Sequence, residues 1–145
     1  MALVNNCNIP DDLLYVIDKH VWARRDGDLV TVGMTDVAQH LAKSIISVTL
    51  KKPGKTIVRG RSIATVESGK WVGPVPAPVT GEIVEVNSEL ENSPGLMNSD
   101  PYGAGWVAKL RPTDWDAEVS DLASGADGVE AYRQFLDAEG IACGG

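Results

Sequence analysis

The stretch with the clearest potential for chemistry is TVESGKWVG, residues 65–73, because it places one lysine at a reversal of the chain. Residues 63–66 favour a strand, Trp71 begins another β-like run, and Ser68 and Gly69 are turn formers between them. The pattern therefore predicts a hairpin with Lys70 at or beside its tip. A lysine at that place projects into solvent on a long flexible stem, where its ammonium remains hydrated.

The rest of the sequence offers little other chemistry. His20 and His40 are isolated and lack the spacing of a metal site or a catalytic triad, so both are interpreted as structural histidines. Cys7 and Cys143 lie at opposite ends of the chain, without the density of a disulfide scaffold, which favours two reduced thiols. A role in tying the termini together or in redox chemistry stays open. No constellation of an independent enzyme is visible.

Composition limits the partners. Thirteen basic and twenty acidic residues give a net charge of -7, which repels phosphate backbones and anionic membrane surfaces. Nucleic acid and membrane are therefore not expected as partners. The apolar runs are short and interrupted by charges, so we expect a soluble, cytoplasmic protein without a transmembrane segment or signal peptide.

A chain of 145 residues fits one domain dominated by short strands. Residues 1–12 are interpreted as a loosely held lead-in. Two β-like runs, 13–23 and 29–32, are separated by an Asp-Gly pair that predicts a hairpin, and Thr35 is placed to cap a short helix. Residues 45–86 contain many brief strands divided by turn residues, which is typical of a compact barrel or sandwich.

The C-terminal part has a different pattern. An irregular stretch over 87–105 precedes a predicted strand over 106–110. Asp127 and Glu130 fit the spacing of a capping box, and a helix that covers the core is predicted to follow. Its predicted apolar face consists of Val129, Tyr132, Phe135 and Leu136, and Gly140 can end it.

The residues after Lys70 give it a family context. PAPVTGEIV, residues 76–84, follows the lysine at the distance found in lipoyl and biotinyl carrier domains, which the region resembles. Two further stretches, TVGMTDVAQHLAKSIISVTL and VEVNSELENSPGLMNSDPYGAGWVAKL, are similar to the glycine cleavage H-protein family, as is His20-x-Trp22. The resemblance implies an H-protein-like lipoyl domain over 13–116 and a C-terminal helical extension over 117–145.

The resemblance also implies a fold and a cofactor. The fold is mainly β (α+β), a barrel-sandwich hybrid of two small antiparallel sheets with short flanking helices and a C-terminal helix. The cofactor is lipoate, joined covalently to Lys70, with Glu67, Ser68, Gly69 and Trp71 around the attachment point. Glu67 and Ser68 would help a lipoate-attaching enzyme recognise the hairpin, or would only form the turn. Lipoylation makes the amine a neutral amide and adds a dithiolane that accepts electrons or a transferred group.

Three departures from the family pattern bear on the carried group. H proteins usually read Glu-Ser-Val-Lys-Ala, His-Glu-Trp and Leu-Gly-Asp, where this chain has Gly69 and Trp71 around the lysine, Val21, and Ala42-Lys43. In H proteins the glutamate at the position of Val21 is associated with holding the aminomethyl-loaded arm, whose cation benefits from a nearby anion. The variant pattern resembles the lipoate-binding proteins of cytoplasmic sulfur oxidation.

The sulfur-oxidation resemblance implies a non-catalytic carrier of sulfur intermediates. Its partners would be a heterodisulfide-reductase-like complex and dihydrolipoamide dehydrogenase. The alternative is a glycine cleavage H protein that serves glycine decarboxylase and aminomethyltransferase. A biotin carrier fits poorly, because Gly69 and Trp71 stand where such carriers have methionines. An H-like interaction module with an unmodified lysine is the alternative of another class.

The aromatic residues Trp22, Trp71, Tyr102 and Trp106 are open to two interpretations. They could shelter the arm, or they could belong to the core, as buried aromatic residues commonly do.

Overall fold

Antiparallel strands form most of the protein, as a computed structural model that describes residues 2–144 shows. The twelve strands found there are β1 (Ala2–Val4), β2 (Cys7–Ile9), β3 (Leu14–Val16), β4 (Val21–Asp26), β5 (Leu29–Met34), β6 (Ile45–Leu50), β7 (Thr56–Ile57), β8 (Ser62–Ser68), β9 (Val72–Pro76), β10 (Gly81–Val86), β11 (Ala108–Pro112) and β12 (Ala123–Ser124). They form a seven-stranded sheet in the order β12-β3-β4-β5-β11-β10-β7, a three-stranded sheet β6-β8-β9 and a two-stranded sheet β1-β2. The predicted mainly β fold is confirmed, although the sheets are unequal in size.

The helices are short except at the C-terminus. They are α1 (Asp36–Ala42), α2 (Glu89–Asn92), α3 (Leu96–Ser99), α4 (Trp115–Glu118) and α5 (Gly125–Glu139), with 3-10 turns at Ile17–Lys19 and Val119–Asp121. Among residues 2–144, no helix has the length and apolar character needed to cross a membrane. The stretch 87–105, expected to be irregular, contains α2 and α3, and the strand expected over 106–110 is β11, which begins two residues later.

Local signals placed the turn before β5 and the start of α1 correctly, whereas the run expected over 13–23 is divided into β3, a 3-10 turn and the start of β4. Strand β4 pairs with β5 around a tight turn in which Asp26 pairs with Leu29 and Gly27 has a φ of 61°, as the Asp-Gly signal predicts. The Oγ1 atom of Thr35 accepts a hydrogen bond from the backbone N–H of Ala38, which confirms the predicted cap of α1.

Strand β4 separates two hydrophobic cores. Val21 and Ala23 face the core between the sheets, whereas Trp22 faces a second core under α5. Trp22 pairs with Gly33 across β5, and a Cβ at Gly33 would collide with the indole ring. The absence of a side chain at residue 33 is therefore what leaves room for Trp22.

The second core joins the two ends of the described chain. The hairpin β1-β2 packs with α5, and Cys7 and Cys143 form a disulfide at its edge. The expectation of two reduced thiols is therefore wrong, and so is that of a loosely held lead-in, because Cys7 and Ile9 are fully buried. Sequence spacing could not reveal that the two ends meet, since only the tertiary fold brings them together.

Helix α5 is confirmed, but its start is not where the capping pattern placed it. The helix begins at Gly125 after Ser124, and Asp127 lies in its first turn instead of at the N-cap, so the capping box is wrong. The predicted end at Gly140 is confirmed by its left-handed conformation, with a φ of 67°. Tyr132 and Leu136 are fully buried in the second core.

Candidate functional site

Lys70 occupies the tip of the hairpin between β8 and β9, as the sequence predicts. Glu67 pairs with Val72, and the N–H of Ser68 donates to the carbonyl of Trp71 at 2.7 Å, so Gly69 and Lys70 are the central residues of the turn. Ser68 is buried, and its Oγ accepts from the N–H of Lys70 at 3.4 Å. Lys70 is exposed at a tip whose base is held by paired strands.

Trp71 folds back over the hairpin beside Lys70. A Cβ at Gly73 would lie within 2.8 Å of Cε2 of the indole, so the ring rests directly on the backbone of Gly73. Trp71 is 38% exposed and lines the same cavity as Lys70. The Trp71 ring therefore forms an apolar wall next to the lysine, and it fits against the backbone because Gly73 has no side chain.

A cavity of about 600 Å³ opens beside the hairpin and is mostly apolar. It is bounded by the 3-10 turn, β5, α1, the hairpin and Gly60, with the lining residues Asp18, Lys19, His20, Met34, Ala38, Leu41, Ala42, Gly60, Lys70, Trp71, Pro74 and Pro76. Its size and apolar wall fit the dithiolane end of a lipoyl group, and Lys70 at its rim offers the amine for attachment. Asp18 is the one carboxylate among these lining residues of the described chain.

His20 is one of the polar residues of the cavity wall, with Asp18, Lys19 and Lys70. It follows the 3-10 turn with a left-handed backbone (φ 57°, ψ 44°), and its Nδ1 lies 2.6 Å from the hydroxyl of Tyr132 on α5. Burial lowers the pKa of His20 below its usual 6.5, and nearby Asp18 offsets part of that effect. His20 was interpreted from sequence as a structural histidine, but the fold places it in the cavity wall.

The other predicted site residues do not all lie in the cavity wall. Glu67 is exposed in β8, paired with Ser47 and Val72, and it does not line the cavity. Of the four aromatic residues considered as shelter for an arm, Trp71 alone lines the cavity. Trp22 is buried in the second core, and Tyr102 and Trp106 pack against it.

Val21 stands where H proteins have a glutamate, and it brings no carboxylate to the cavity. Its side chain is fully buried in the core between the sheets, and its cross-strand partner Met34 lines the cavity instead. A thioether therefore borders the space at this point, without a negative charge.

Sequence reasoning missed most of the cavity wall. Met34, Pro74 and Gly60 come from separate parts of the chain, and none of them carries a local signal of function. Asp18, Lys19 and His20 lie within the run 13–23 that the sequence predicts as β-like, so no local pattern marked them as part of a turn in the cavity wall.

A small barrel-sandwich domain with a lysine on an exposed hairpin beside an apolar cavity has the architecture of a prosthetic-group carrier. Comparison with known proteins supports this class. Residues 14–136 match the family model described as Glycine cleavage H-protein. The chain belongs to the glycine cleavage H-protein family, whose members carry a covalently attached lipoate on a lysine.

Individual relatives agree with the family match. The chain is 45% identical to glycine cleavage system H protein 2 of Aquifex aeolicus over 95% of this chain and 86% of the relative. It is 44% identical to a probable glycine cleavage system H protein 2 of Sulfolobus acidocaldarius over 99% and 97%. The crystal structure of an H protein from Mycobacterium marinum superposes with a TM-score of 0.75 at 34% identity, covering 92% of this chain and 100% of that one.

Membership of the family also indicates a general role. H proteins are lipoyl carriers and not catalysts, and they interact with a lipoate-attaching enzyme and with the glycine cleavage enzymes.

Proposed function

We propose that this chain is a non-catalytic lipoyl carrier whose lipoate is attached to Lys70. The observation that carries the proposal is the position of Lys70, exposed at the tip of a hairpin and at the rim of the apolar cavity. Acylation removes the ammonium charge, so the extended side chain can lie against apolar wall at little desolvation cost. When bound, the group supplies a dithiolane that can be reduced or can hold a transferred fragment.

The chain's own residues would position the arm. The paired strands β8 and β9 hold the attachment point, and the Trp71 ring and the wall formed by α1 offer apolar contact. Glu67, on the outer face of the hairpin, is free to meet a lipoate-attaching enzyme while the cavity stays accessible. The proposed working place of the carrier is the cytoplasm, with the enzymes that load and unload it.

The first candidate cargo is the aminomethyl group of glycine cleavage, exchanged with glycine decarboxylase and aminomethyltransferase. The family match and the names of the relatives support it. Asp18 in the cavity wall also supports it, because its carboxylate can offset the charge of an aminomethyl ammonium group.

The second candidate cargo is a sulfur intermediate, exchanged with a heterodisulfide-reductase-like complex and with dihydrolipoamide dehydrogenase. Val21 favours it, because the position that carries a glutamate in aminomethyl carriers holds a buried valine here. A neutral or anionic sulfur species needs no such carboxylate.

Loading of the lipoylated protein tests the two cargoes. The carrier is incubated with glycine and glycine decarboxylase, or with a heterodisulfide-reductase-like complex and a reduced sulfur donor, and its intact mass is followed. A glycine-dependent increment supports the aminomethyl cargo, and a sulfur increment supports the second. Peptide mapping assigns each increment, because the Cys7–Cys143 disulfide can also react with a sulfur donor. Lys70→Arg keeps the charge but forms no lipoyl amide, so neither increment should appear on the peptide that contains residue 70. Loading of that peptide in this variant contradicts the carrier proposal.

A further inference from the structure

His20 is connected to the protein interior by a chain of hydrogen bonds. Its Nδ1 lies 2.6 Å from the Tyr132 hydroxyl, and that hydroxyl lies 2.9 Å from Oγ1 of Thr35. Thr35 and Tyr132 are both fully buried, and Thr35 also caps α1 by accepting from the N–H of Ala38. The three side chains come from the end of the 3-10 turn, the start of α1 and the middle of α5, so only the tertiary fold assembles them.

The direction of these hydrogen bonds follows from the buried protons. Within residues 2–144, the hydroxyl of Thr35 contacts one acceptor, Oη of Tyr132, so Thr35 donates to Tyr132. Tyr132 must then donate to Nδ1 of His20, which makes Nδ1 an acceptor and places the imidazole proton on Nε2. The opposite direction would leave the Thr35 proton buried without a partner, at a cost of about 1–3 kcal/mol. Burial raises the pKa of Tyr132, so the phenol keeps the proton that it donates.

The Nε2 atom of His20 is not sealed from solvent. Nε2 makes no hydrogen bond within residues 2–144, and a buried Nε2 without a partner would be an unsatisfied polar atom, which it is not. Because His20 lines the cavity, Nε2 is available to a group bound there. The charged groups around it are Asp18 and Lys19 on its own turn and Lys70 on the hairpin, and Tyr132 faces it from α5. Acylation of Lys70 would leave the anion of Asp18 and the cation of Lys19, whose electrostatic effects on His20 largely oppose each other.

We propose that the relay Thr35–Tyr132–His20 fixes a neutral Nε2–H donor in the cavity wall, and that this donor selects an anionic sulfur group at the end of the arm. A thiolate or an S-sulfonate accepts a hydrogen bond from it, whereas an aminomethyl ammonium group, itself a donor, does not. The inference rests on the proposed attachment of lipoate to Lys70 and favours the sulfur cargo. His20 is the specificity-determining residue, and Tyr132 is a positioning residue.

The tautomer of His20 is measured first, by long-range ¹H–¹⁵N correlation NMR on protein without lipoate. We expect Nε2–H in the unsubstituted protein and a mixture of tautomers in Tyr132→Phe, which keeps the ring but loses the donor. Tyr15→Phe is the matched control, because that buried hydroxyl donates to the carbonyl of Pro10 in the same core and does not contact His20. An Nδ1–H tautomer in the unsubstituted protein overturns the relay, whatever the state of Lys70.

The selection is measured on the lipoylated protein, after intact mass has confirmed the arm. Sulfite sulfur attacks one sulfur of the dithiolane; the S–S bond breaks, an S-sulfonate forms, and the other sulfur leaves with the electron pair as a thiolate. Peptide mapping assigns the adduct to the arm, because Cys7 and Cys143 also form a disulfide.

A matched pair of variants isolates the donor. The sulfitolysis equilibrium constant is expected to fall roughly tenfold in His20→Leu, and to recover in part in His20→Gln, whose amide retains an N–H. The Nε2 resonance should also shift with the sulfonate arm and not with a cationic arm made by alkylating the reduced thiols with 2-bromoethylamine. Equal constants in all three proteins, with the arm confirmed at Lys70, refute the selection and leave the carrier proposal intact. A chain that accepts no lipoate refutes the carrier proposal instead.

Discussion

Breaking the Cys7–Cys143 disulfide is expected to destabilise the protein more than any surface substitution. The two cysteines are 136 positions apart in sequence, so the bond closes nearly the whole chain into one loop. In the chain-entropy description a loop of this length restricts the unfolded state by about 5 kcal/mol at 25 °C. With a urea m value of about 2 kcal/mol/M, the midpoint of unfolding should fall by about 2.5 M.

The assay is equilibrium urea unfolding, followed by tryptophan fluorescence, of the unsubstituted protein, Cys7→Ala, Cys143→Ala and the double variant. Either single substitution opens the loop, so the double variant should be little less stable than either single one. A reducing agent should lower the midpoint of the unsubstituted protein to a similar value and leave the variants unchanged. Additive losses in the double variant, or a midpoint that reducing agent does not move, would show that the loop-closure reasoning is incorrect.

Three further predictions test particular features. Gly73→Ala should displace the ring of Trp71, which should appear as a red shift and stronger iodide quenching of its fluorescence. An unchanged spectrum would contradict the contact between the ring and the backbone of Gly73. Lys43 has a φ of 65° and a ψ of -149°, a backbone conformation that is strained for any residue except glycine. Lys43→Gly should therefore raise the free energy of unfolding by about 1–2 kcal/mol. The control Lys51→Gly, at a residue without a positive φ, should lower it. In the unfolded state His20 binds a proton below about pH 6.5, whereas burial lowers its pKa in the folded state. The free energy of unfolding should therefore fall as the pH drops below 6.5, and His20→Asn should remove this pH dependence. An unchanged pH dependence in the variant would exclude His20 as its source.

The parts of the fold that depend on neighbouring residues were predictable from sequence. The hairpin that carries Lys70, the cap at Thr35 and the end of α5 at Gly140 each follow from two to four adjacent residues. Turn and cap preferences act at this range, because they arise from local backbone sterics and short hydrogen bonds.

The features that the sequence did not reveal depend on distant contacts. Cys7 meets Cys143 only because the hairpin β1-β2 and the C-terminal segment share one core. The start of α5 at Gly125, instead of a cap at Asp127, reflects the short strand β12 that leads into the helix. The cavity beside Lys70 similarly requires walls from the 3-10 turn, β5, α1, Gly60 and the hairpin, so local patterns indicated its rim but not the rest of its lining.

The state of Lys70 in protein isolated from its native host tests the central claim most directly. Intact mass followed by peptide mapping should give a lipoyl increment on the peptide that contains Lys70 and on no other lysine. A biotinyl increment, or an unmodified Lys70 in cells that attach lipoate to other carriers, would contradict the account.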